Sequence, residues 1–359
     1  MAKIGQNSSL ICGLYIELML RTTNHLFRLL PNRLRGLMRL GRDFTNLLYF
    51  EYLSEEDKQR LRVGEIAVLD MDAMVQVTAK ADIARQVSVA KSLGLDHVEL
   101  DGAVPNSYLE FTDDVKREIR DFATKQGISL SLHLPYTYVG ASVCAPEEFD
   151  RQAAAGLQKH YVEFAAGIGC ECCILHPGVV PFYHATGRYL GQVKNNLVKS
   201  LLEIGELASI LGVELHLENN TAFDNVFIET QEIVEVLEKV RENGLKLHFC
   251  FDIGHWFTRA DAGKEIPNPP EKIIEEIPSG WFKELHLNDY IPVERLFHPP
   301  LHDQVGLLKR ENLERYAELV SWKGAELIVV ETAIKTKEQV MQRDEILRKE
   351  TEYLRSIFG

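Results

Sequence analysis

The chemistry of this sequence is concentrated in short segments that each end in a histidine, an aspartate or a glutamate. Imidazole and carboxylate groups are donors that zinc and related divalent cations accept in proteins. Three carboxylates gathered without a cation would repel one another, and their pKa values would rise. The sequence therefore predicts a site for one to three divalent ions, Zn²⁺ or Mn²⁺. The candidate ligands are His133, His176, Glu218, Asp252, His255, His286, His302 and Glu331.

Eight strand-then-helix units, beginning near residue 66, would position these side chains. Parallel neighbouring strands need a crossover helix, and eight such units close a barrel of about 250 residues with its active residues at the carboxyl ends of the strands. We therefore expect a (β/α)8 TIM barrel over residues 65–359. An open doubly wound sheet is the alternative, although no GxGxxG motif follows the first strand. The predicted strands are Ile66–Asp70, His97–Asp101, Ile128–His133, Cys172–His176, Val213–Glu218, Leu247–Asp252, Phe282–Leu287 and Glu326–Glu331.

Side chains two or four positions before several of these ligands share their face of the strand, because side chains alternate along a strand. They would line the barrel below the ligands, either as groups that orient the ligands or as a hydrated polar layer. These residues are Glu214, His216, His248, Cys250 and Glu284.

Residues 1–64 stand outside the repeat, and we predict that they form an extra N-terminal helical segment. Leucines recur there at roughly helical spacing between arginines, and Pro31 interrupts them. The simplest interpretation is two or three helices packed against the barrel. The alternatives are a basic amphipathic arm that contacts a membrane surface or a partner, and a cleaved targeting segment.

Charge and cysteine content narrow the class of protein. The chain has 40 Lys and Arg against 53 Asp and Glu, a net charge of −13. A body this acidic repels phosphate backbones, so general nucleic-acid binding is not expected. Six cysteines are too few for a disulfide scaffold. The cluster Cys170, Cys172 and Cys173 is interpreted as buried core in a reducing, cytoplasmic compartment, with a redox or metal role as the alternative.

At these motifs the sequence resembles the xylose-isomerase-like TIM barrel superfamily. The segments LEN, DIGH, HLND and VET, in that order at strand ends, carry the resemblance over about residues 66–335. The group includes sugar-phosphate isomerases and epimerases, and the endonuclease IV class of abasic-site endonucleases. For the isomerase branch the resemblance implies one divalent ion held by Glu218, Asp252, His286 and Glu331. It also implies that the two glutamates exchange protons with substrate and that His255 assists there.

For the endonuclease branch the resemblance implies further metal ions. The histidines of predicted strands three and four would join the strand-five glutamate on one zinc. His255 and an Asp-x-His motif in the loop after strand seven would hold another. Here that loop reads HPPLHDQVG, so His302 is present but Pro300 replaces the aspartate. A third ion would therefore need Asp303 or His298 as a substitute ligand.

Three functions are open at this point. The preferred hypothesis is an isomerase or epimerase of a sugar or related hydroxy-carbonyl compound, in which Glu218 and Glu331 move a proton through a metal-stabilised enediolate. The alternative is a zinc-dependent hydrolase or phosphodiesterase of the endonuclease IV-like type. A barrel that binds without catalysis is the third. The resemblance further implies a small sugar-like substrate and a possible homo-oligomer.

Overall fold

A closed barrel of eight parallel strands forms the centre of the protein, in a computed structural model that describes residues 38–136 and 139–359. The barrel strands are β1 (Arg39–Asp43), β2 (His97–Asp101), β3 (Ser129–His133), β4 (Cys172–Leu175), β5 (Glu214–Glu218), β6 (His248–Asp252), β7 (Phe282–Leu287) and β10 (Leu327–Glu331). Their order around the barrel is β1-β10-β7-β6-β5-β4-β3-β2, and β1 pairs with β2 to close it. The expected TIM barrel is confirmed.

Helices connect these strands and cover the outside of the barrel. The helix α4, for example, begins after Thr112, whose hydroxyl accepts the N–H of Val115, and ends at Gly127 with φ +68°. The helices are α1 (Glu55–Val63), α2 (Val68–Ala81), α3 (Ile83–Ser92), α4 (Asp113–Gln126), α5 (Glu148–Ile168), α6 (Gly187–Leu211), α7 (Thr230–Glu242), α8 (Ile253–Phe257), α9 (Arg310–Lys323), α10 (Lys337–Met341) and α11 (Arg343–Phe358). A short antiparallel pair, β8 (Tyr290–Ile291) and β9 (Leu296–Phe297), lies in the loop after β7. Within the described residues, none of the helices has the length and apolar character that crossing a membrane requires.

The first barrel strand corrects the sequence analysis. The prediction of a strand at Ile66–Asp70 was wrong. The carboxylate of Asp70 accepts the N–H of Ala67 and so caps the start of the helix α2. The strand is instead Arg39–Asp43, which lies inside the segment assigned to an N-terminal helical extension. Residues 39–64 therefore belong to the barrel domain. The rest of the predicted arm, residues 1–37, lies outside the described residues.

The two faces of each strand carry different side chains. Val98 and Leu100 of β2, like Phe249 and Phe251 of β6, are buried in the apolar layer between barrel and helices. The alternate positions face the barrel interior and are unusually polar for this fold, where branched apolar residues dominate. Polar side chains such as Glu99, His216 and Glu284 share this interior with an apolar cluster of Cys172, Ile174 and Cys250.

Candidate metal centre

The carboxyl ends of the strands bring most of the predicted ligands together. His133, Glu218, Asp252 and Glu331 are the last residues of β3, β5, β6 and β10. Two further strands contribute similarly, since His286 is the penultimate residue of β7 and His176 follows β4 directly. All six side chains are buried. The rule that chemistry in a TIM barrel collects at this end therefore locates a real cluster of donors.

Glu218 lies at the centre of the cluster. Its Oε2 is 3.0 Å from Nε2 of both His133 and His176. Its Oε1 is 3.1 Å from Nδ1 of His255 and 3.2 Å from Nδ1 of His286. Burial alone would raise the pKa of Glu218, but the charges of His176 and His286 hold that pKa well below its usual range. The surrounding imidazoles therefore keep this carboxylate ionised.

Asn288 joins the other two carboxylates. Its Nδ2 donates to Oδ2 of Asp252 and to Oε2 of Glu331, both at 2.7 Å. Burial raises the pKa of Glu331 well above its usual range, and the neighbouring carboxylates Asp252 and Glu218 add to that rise although His286 opposes it. Without a cation, burial and the neighbouring carboxylates favour the protonated form of Glu331, whereas the imidazoles favour the ionised form of Glu218. Two neighbouring carboxyl groups whose pKa values are shifted in opposite directions are typical of acid–base pairs.

The structure explains the residue types at three positions of the DIGH segment, namely Asp252, Gly254 and His255. Asp252 precedes α8, and its Oδ1 accepts the N–H of His255 at 2.5 Å. A Cβ at Gly254 would lie 1.8 Å from Oδ1 of Asn288, so only glycine leaves room for that amide. Burial disfavours charge on His255, yet the carboxylates of Asp252 and Glu218 raise its pKa to about 10.

The donors fit a divalent cation. Glu218 with Asp252 and His286 forms one set, and Glu218 with His133 and His176 forms another, with ligand atoms within 4.8 Å of one another in each. Within the described part of the chain, Nε2 of His176 is buried and makes no hydrogen bond, although it lies close to Glu218. Nitrogen and oxygen donors of this kind suit Zn²⁺ or Mn²⁺.

The long loop after β7 brings a different histidine to the cluster from the one the sequence favoured. Nδ1 of His298 lies 3.9 Å from Oε2 of Glu331, on a backbone with φ +60°. Burial and the charge of His255 lower the pKa of His298 to about 3, so its imidazole is neutral. Nε2 of His302 instead lies 3.6 Å from Oδ1 of Asp303. Among the described residues, no contact of His302 reaches Glu218 or its partners.

Two aspartates at the same end of the barrel were missed. Asp101 ends β2 and forms an ion pair with Lys80 at 2.9 Å. Asp43 ends β1, and burial together with the charge of Asp101 raises its pKa to about 7. The strand-end rule would have selected Asp101 from the sequence. Asp43 was hidden because β1 itself was not recognised.

The sequence of the chain is similar to those of known proteins. A family model described as xylose isomerase-like TIM barrel matches residues 87–357. An uncharacterized protein of Methanocaldococcus jannaschii, MJ1311, is 25% identical over 150 residues, which are 42% of this chain and 48% of that protein. The chain spans about half the length of the curated relatives it matches.

Two solved structures have the same fold at low sequence identity. A D-psicose 3-epimerase studied in the presence of D-fructose is similar with a TM-score of 0.60 and 14% identity, over 90% of this chain and 100% of that one. The IOLI protein with a bound zinc atom is similar with a TM-score of 0.58 and 13% identity, over 90% and 100% of the two chains. These likenesses show the fold, and the family model matches well over half of the sequence. The chain belongs to the xylose isomerase-like TIM barrel family.

Proposed function

We propose that this protein is a divalent-metal-dependent sugar isomerase or epimerase. One observation carries the proposal: Nδ1 of His286 lies 3.2 Å from a carboxylate oxygen of both Glu218 and Glu331. The two glutamates reach this imidazole from β5 and β10, which are separated in the barrel by β6 and β7. A substrate carbon held between them would meet one carboxylate from each direction.

The two glutamates then divide the proton transfer. Glu218, ionised, removes the proton from the carbon next to a carbonyl, and Glu331 returns a proton to the same or a neighbouring carbon. Delivery to the opposite face of the same carbon inverts its configuration, which is epimerisation. His255, held by Asp252, assists as a donor to a substrate oxygen.

Four of the residues would hold the cation: Glu218, Asp252, His286 and Glu331. When bound, a divalent ion supplies a Lewis acid that stabilises negative charge developing on substrate oxygens. Asn288 keeps Asp252 and Glu331 in place through its two hydrogen bonds. The zinc in one structural neighbour and the sugar epimerase activity named for the other support a sugar-like substrate and a divalent ion here. A homo-oligomer stays a prediction.

A zinc-dependent hydrolase or phosphodiesterase is the second candidate. It is favoured by the set His133, His176 and Glu218, which could hold a further ion beside the first. The position of His302 weighs against the full three-ion arrangement of the endonuclease branch. The net charge of −13 also opposes the approach of a DNA duplex.

The test is proton exchange in heavy water. The protein, loaded with Mn²⁺ or Zn²⁺, is incubated with a panel of ketohexoses and ketopentoses, and proton NMR follows both deuterium uptake next to the carbonyl and epimer formation. We expect exchange with at least one sugar, its loss in Glu218→Gln, and its retention in Glu326→Gln, an exposed glutamate just before β10. Cleavage of an abasic-site oligonucleotide or a phosphodiester, with no sugar exchange, would favour the hydrolase instead.

A further inference from the structure

Three side chains inside the barrel form a second cluster of donors, below the metal centre. Cys172 begins β4, His216 lies two residues before Glu218, and Glu284 lies two residues before His286. We name Cys172, His216 and Glu284 the lumen triad. All three are buried, and they come from three different strands. None of them belongs to the residues that the proposed reaction uses.

The distances within the lumen triad are those of a compact donor set. Nδ1 of His216 lies 2.6 Å from Oε2 of Glu284, and Sγ of Cys172 lies 4.0 Å from the same oxygen. The three ligand atoms are all within 4.8 Å of one another. Zinc bonds of roughly 2.0–2.3 Å in a tetrahedron separate ligand atoms by about 3.3–3.7 Å. Small side-chain movements would therefore bring the triad onto one ion.

The carboxylate of Glu284 contacts His216 and Cys172 through Oε2, and its second oxygen is left without a partner among the residues that the structure describes. Its Oε1 is fully buried and makes no hydrogen bond within residues 38–136 and 139–359. Nε2 of His286 is the nearby imidazole nitrogen, at 3.8 Å, which is beyond hydrogen-bond range. A buried carboxylate oxygen without a partner carries a large desolvation cost, which a coordinated cation would remove.

We propose that the lumen triad is a second cation site, distinct from the metal centre at the strand ends, and that it takes Zn²⁺ through one thiolate, one imidazole and one carboxylate. Thiolate and imidazole together favour zinc over magnesium or calcium. Binding forms Zn–S, Zn–N and Zn–O bonds to the three side chains, the S–H bond of Cys172 breaks, and the thiol proton passes to solvent.

The amino-terminal opening of the barrel offers an access route. Glu214 begins β5, and its side chain is 58% exposed. Its Oε2 lies 3.5 Å from Nε2 of His216 and 3.8 Å from Nε2 of His248. An ion arriving from this end would meet a solvent-exposed carboxylate first and the lumen triad next. It would not pass the metal centre at the opposite end.

Cobalt substitution separates the two sites by spectroscopy. A cysteine thiolate bound to Co²⁺ gives an intense charge-transfer absorption in the near ultraviolet. The metal centre at the strand ends contains only nitrogen and oxygen donors, so it cannot produce this absorption. Cys12 lies outside the described residues, and its thiolate would give the same absorption on binding Co²⁺. The full-length protein therefore carries Cys12→Ser in every sample. Reduced, metal-free protein is titrated with CoCl₂ and then with ZnCl₂.

We expect a charge-transfer absorption that saturates at one Co²⁺ per chain, disappears when Zn²⁺ is added, and persists in Asp252→Asn. It should be lost in Cys172→Ser and kept in Cys173→Ser. Cys173 is the matched control because it is equally buried one residue away, but packs in the apolar layer outside the barrel. Circular dichroism checks that each variant folds.

A second variant keeps the proposal testable if Cys172→Ser does not fold. His216→Gln should weaken Co²⁺ binding by more than the roughly 100-fold that the loss of an outer partner can cost. No charge-transfer absorption in the parent protein, or its survival in Cys172→Ser, would overturn the proposal. So would its loss in Cys250→Ser with retention in Cys172→Ser, which would place the ion on the neighbouring set Cys250, Glu284 and His286.

Discussion

Oε1 of Glu99 lies 3.2 Å from Nε2 of His286, while Nδ1 of the same ring faces the carboxylates of the metal centre. Both side chains are fully buried. The other oxygen of Glu99 accepts a hydrogen bond from the Ser131 hydroxyl at 2.8 Å, which fixes the carboxylate in place. A carboxylate that contacts the second nitrogen of a metal-binding imidazole fixes the orientation of the imidazole ring and makes the ring a stronger ligand for the metal ion. Glu99 is therefore a positioning residue for the proposed metal site.

Replacement of Glu99 by glutamine should weaken the metal centre without removing any ligand. We expect the affinity for Mn²⁺ to fall by about 10- to 100-fold, measured by competition with a fluorescent chelator. Mn²⁺ is the suitable probe because the thiolate of the lumen triad disfavours it. Glu110→Gln, at an exposed position, is the control and should leave the affinity unchanged. An equal affinity in Glu99→Gln would remove the positioning role.

The two glutamates proposed to move the proton should both be needed for turnover. We expect Glu331→Gln to lower kcat by about 10²- to 10⁴-fold while the far-ultraviolet circular dichroism stays that of the parent. The amide can still accept the hydrogen bond of Asn288, so the fold has no reason to change. Full activity in this variant would contradict the role given to Glu331. Glu326→Gln, just before the same strand, serves as the control.

Asp43 should make the metal-free protein lose stability as the pH rises. Its pKa is raised to about 7 in the folded state, chiefly by burial, from an ordinary value near 3.8. The folded protein then holds a proton that the unfolded chain has released between pH 4 and pH 7. The unfolding free energy of the parent should therefore decline relative to Asp43→Asn over this interval, by at most about 1.4 kcal/mol per pH unit.

Urea denaturation of both proteins at each pH, with chelator present, measures this difference. The carbonyl oxygen of the new amide in Asp43→Asn can still accept the Thr45 N–H, which Asp43 accepts at 2.6 Å, so the local turn is preserved. Above pH 7 the difference should become constant. A difference that does not vary with pH would show that Asp43 titrates normally.

The ion pair between Arg42 and Glu350 ties β1 to α11, and its loss should be costly. The two side chains are buried, 2.5 Å apart, and Glu350 also accepts the Thr332 hydroxyl and the Leu301 N–H. Arg42→Met leaves a buried carboxylate without its cation, so we expect about 3–5 kcal/mol less unfolding free energy.

An exposed pair on the same helix provides the comparison for Arg42. Arg348 and Glu352 lie 2.9 Å apart one turn from each other, and both are more than half exposed. Arg348→Met should cost less than about 0.5 kcal/mol in the same urea experiment. Similar losses in the two variants would contradict the role assigned to burial.

Seven of the eight barrel strands could be predicted within one residue of their ends, because each carries apolar side chains at successive or alternate positions and ends at, or one residue before, a polar side chain. The eighth could not. β1 reads RLGRD, and its Arg42 is buried only because Glu350, far along the chain, pairs with it. A Cβ at position 41 would lie only 2.9 Å from the side chain of His97, so this position of β1 requires glycine. Neither reason is visible within the segment.

The candidate site was predictable to the extent that it depends on strand ends. His133, Glu218 and Asp252 end their strands, so the alternation of side chains brings them to one place. The loop after β7 has no such periodicity. There His298, itself in the left-handed region at φ +60°, lies beside Glu331, and His302 lies beside Asp303. Loop conformation of this kind depends on tertiary packing.

The central claim is that Glu218, Asp252, His286 and Glu331 hold one divalent ion. A crystal structure of the full-length protein soaked in Mn²⁺, with anomalous scattering from the metal and a sugar alcohol bound, tests it most directly. We expect an anomalous peak roughly 2.0–2.3 Å from a donor atom of each of these four residues, with the two glutamates on either side of the polyol. A peak held instead by His133, His176 and His302, or none at saturating Mn²⁺, would contradict it.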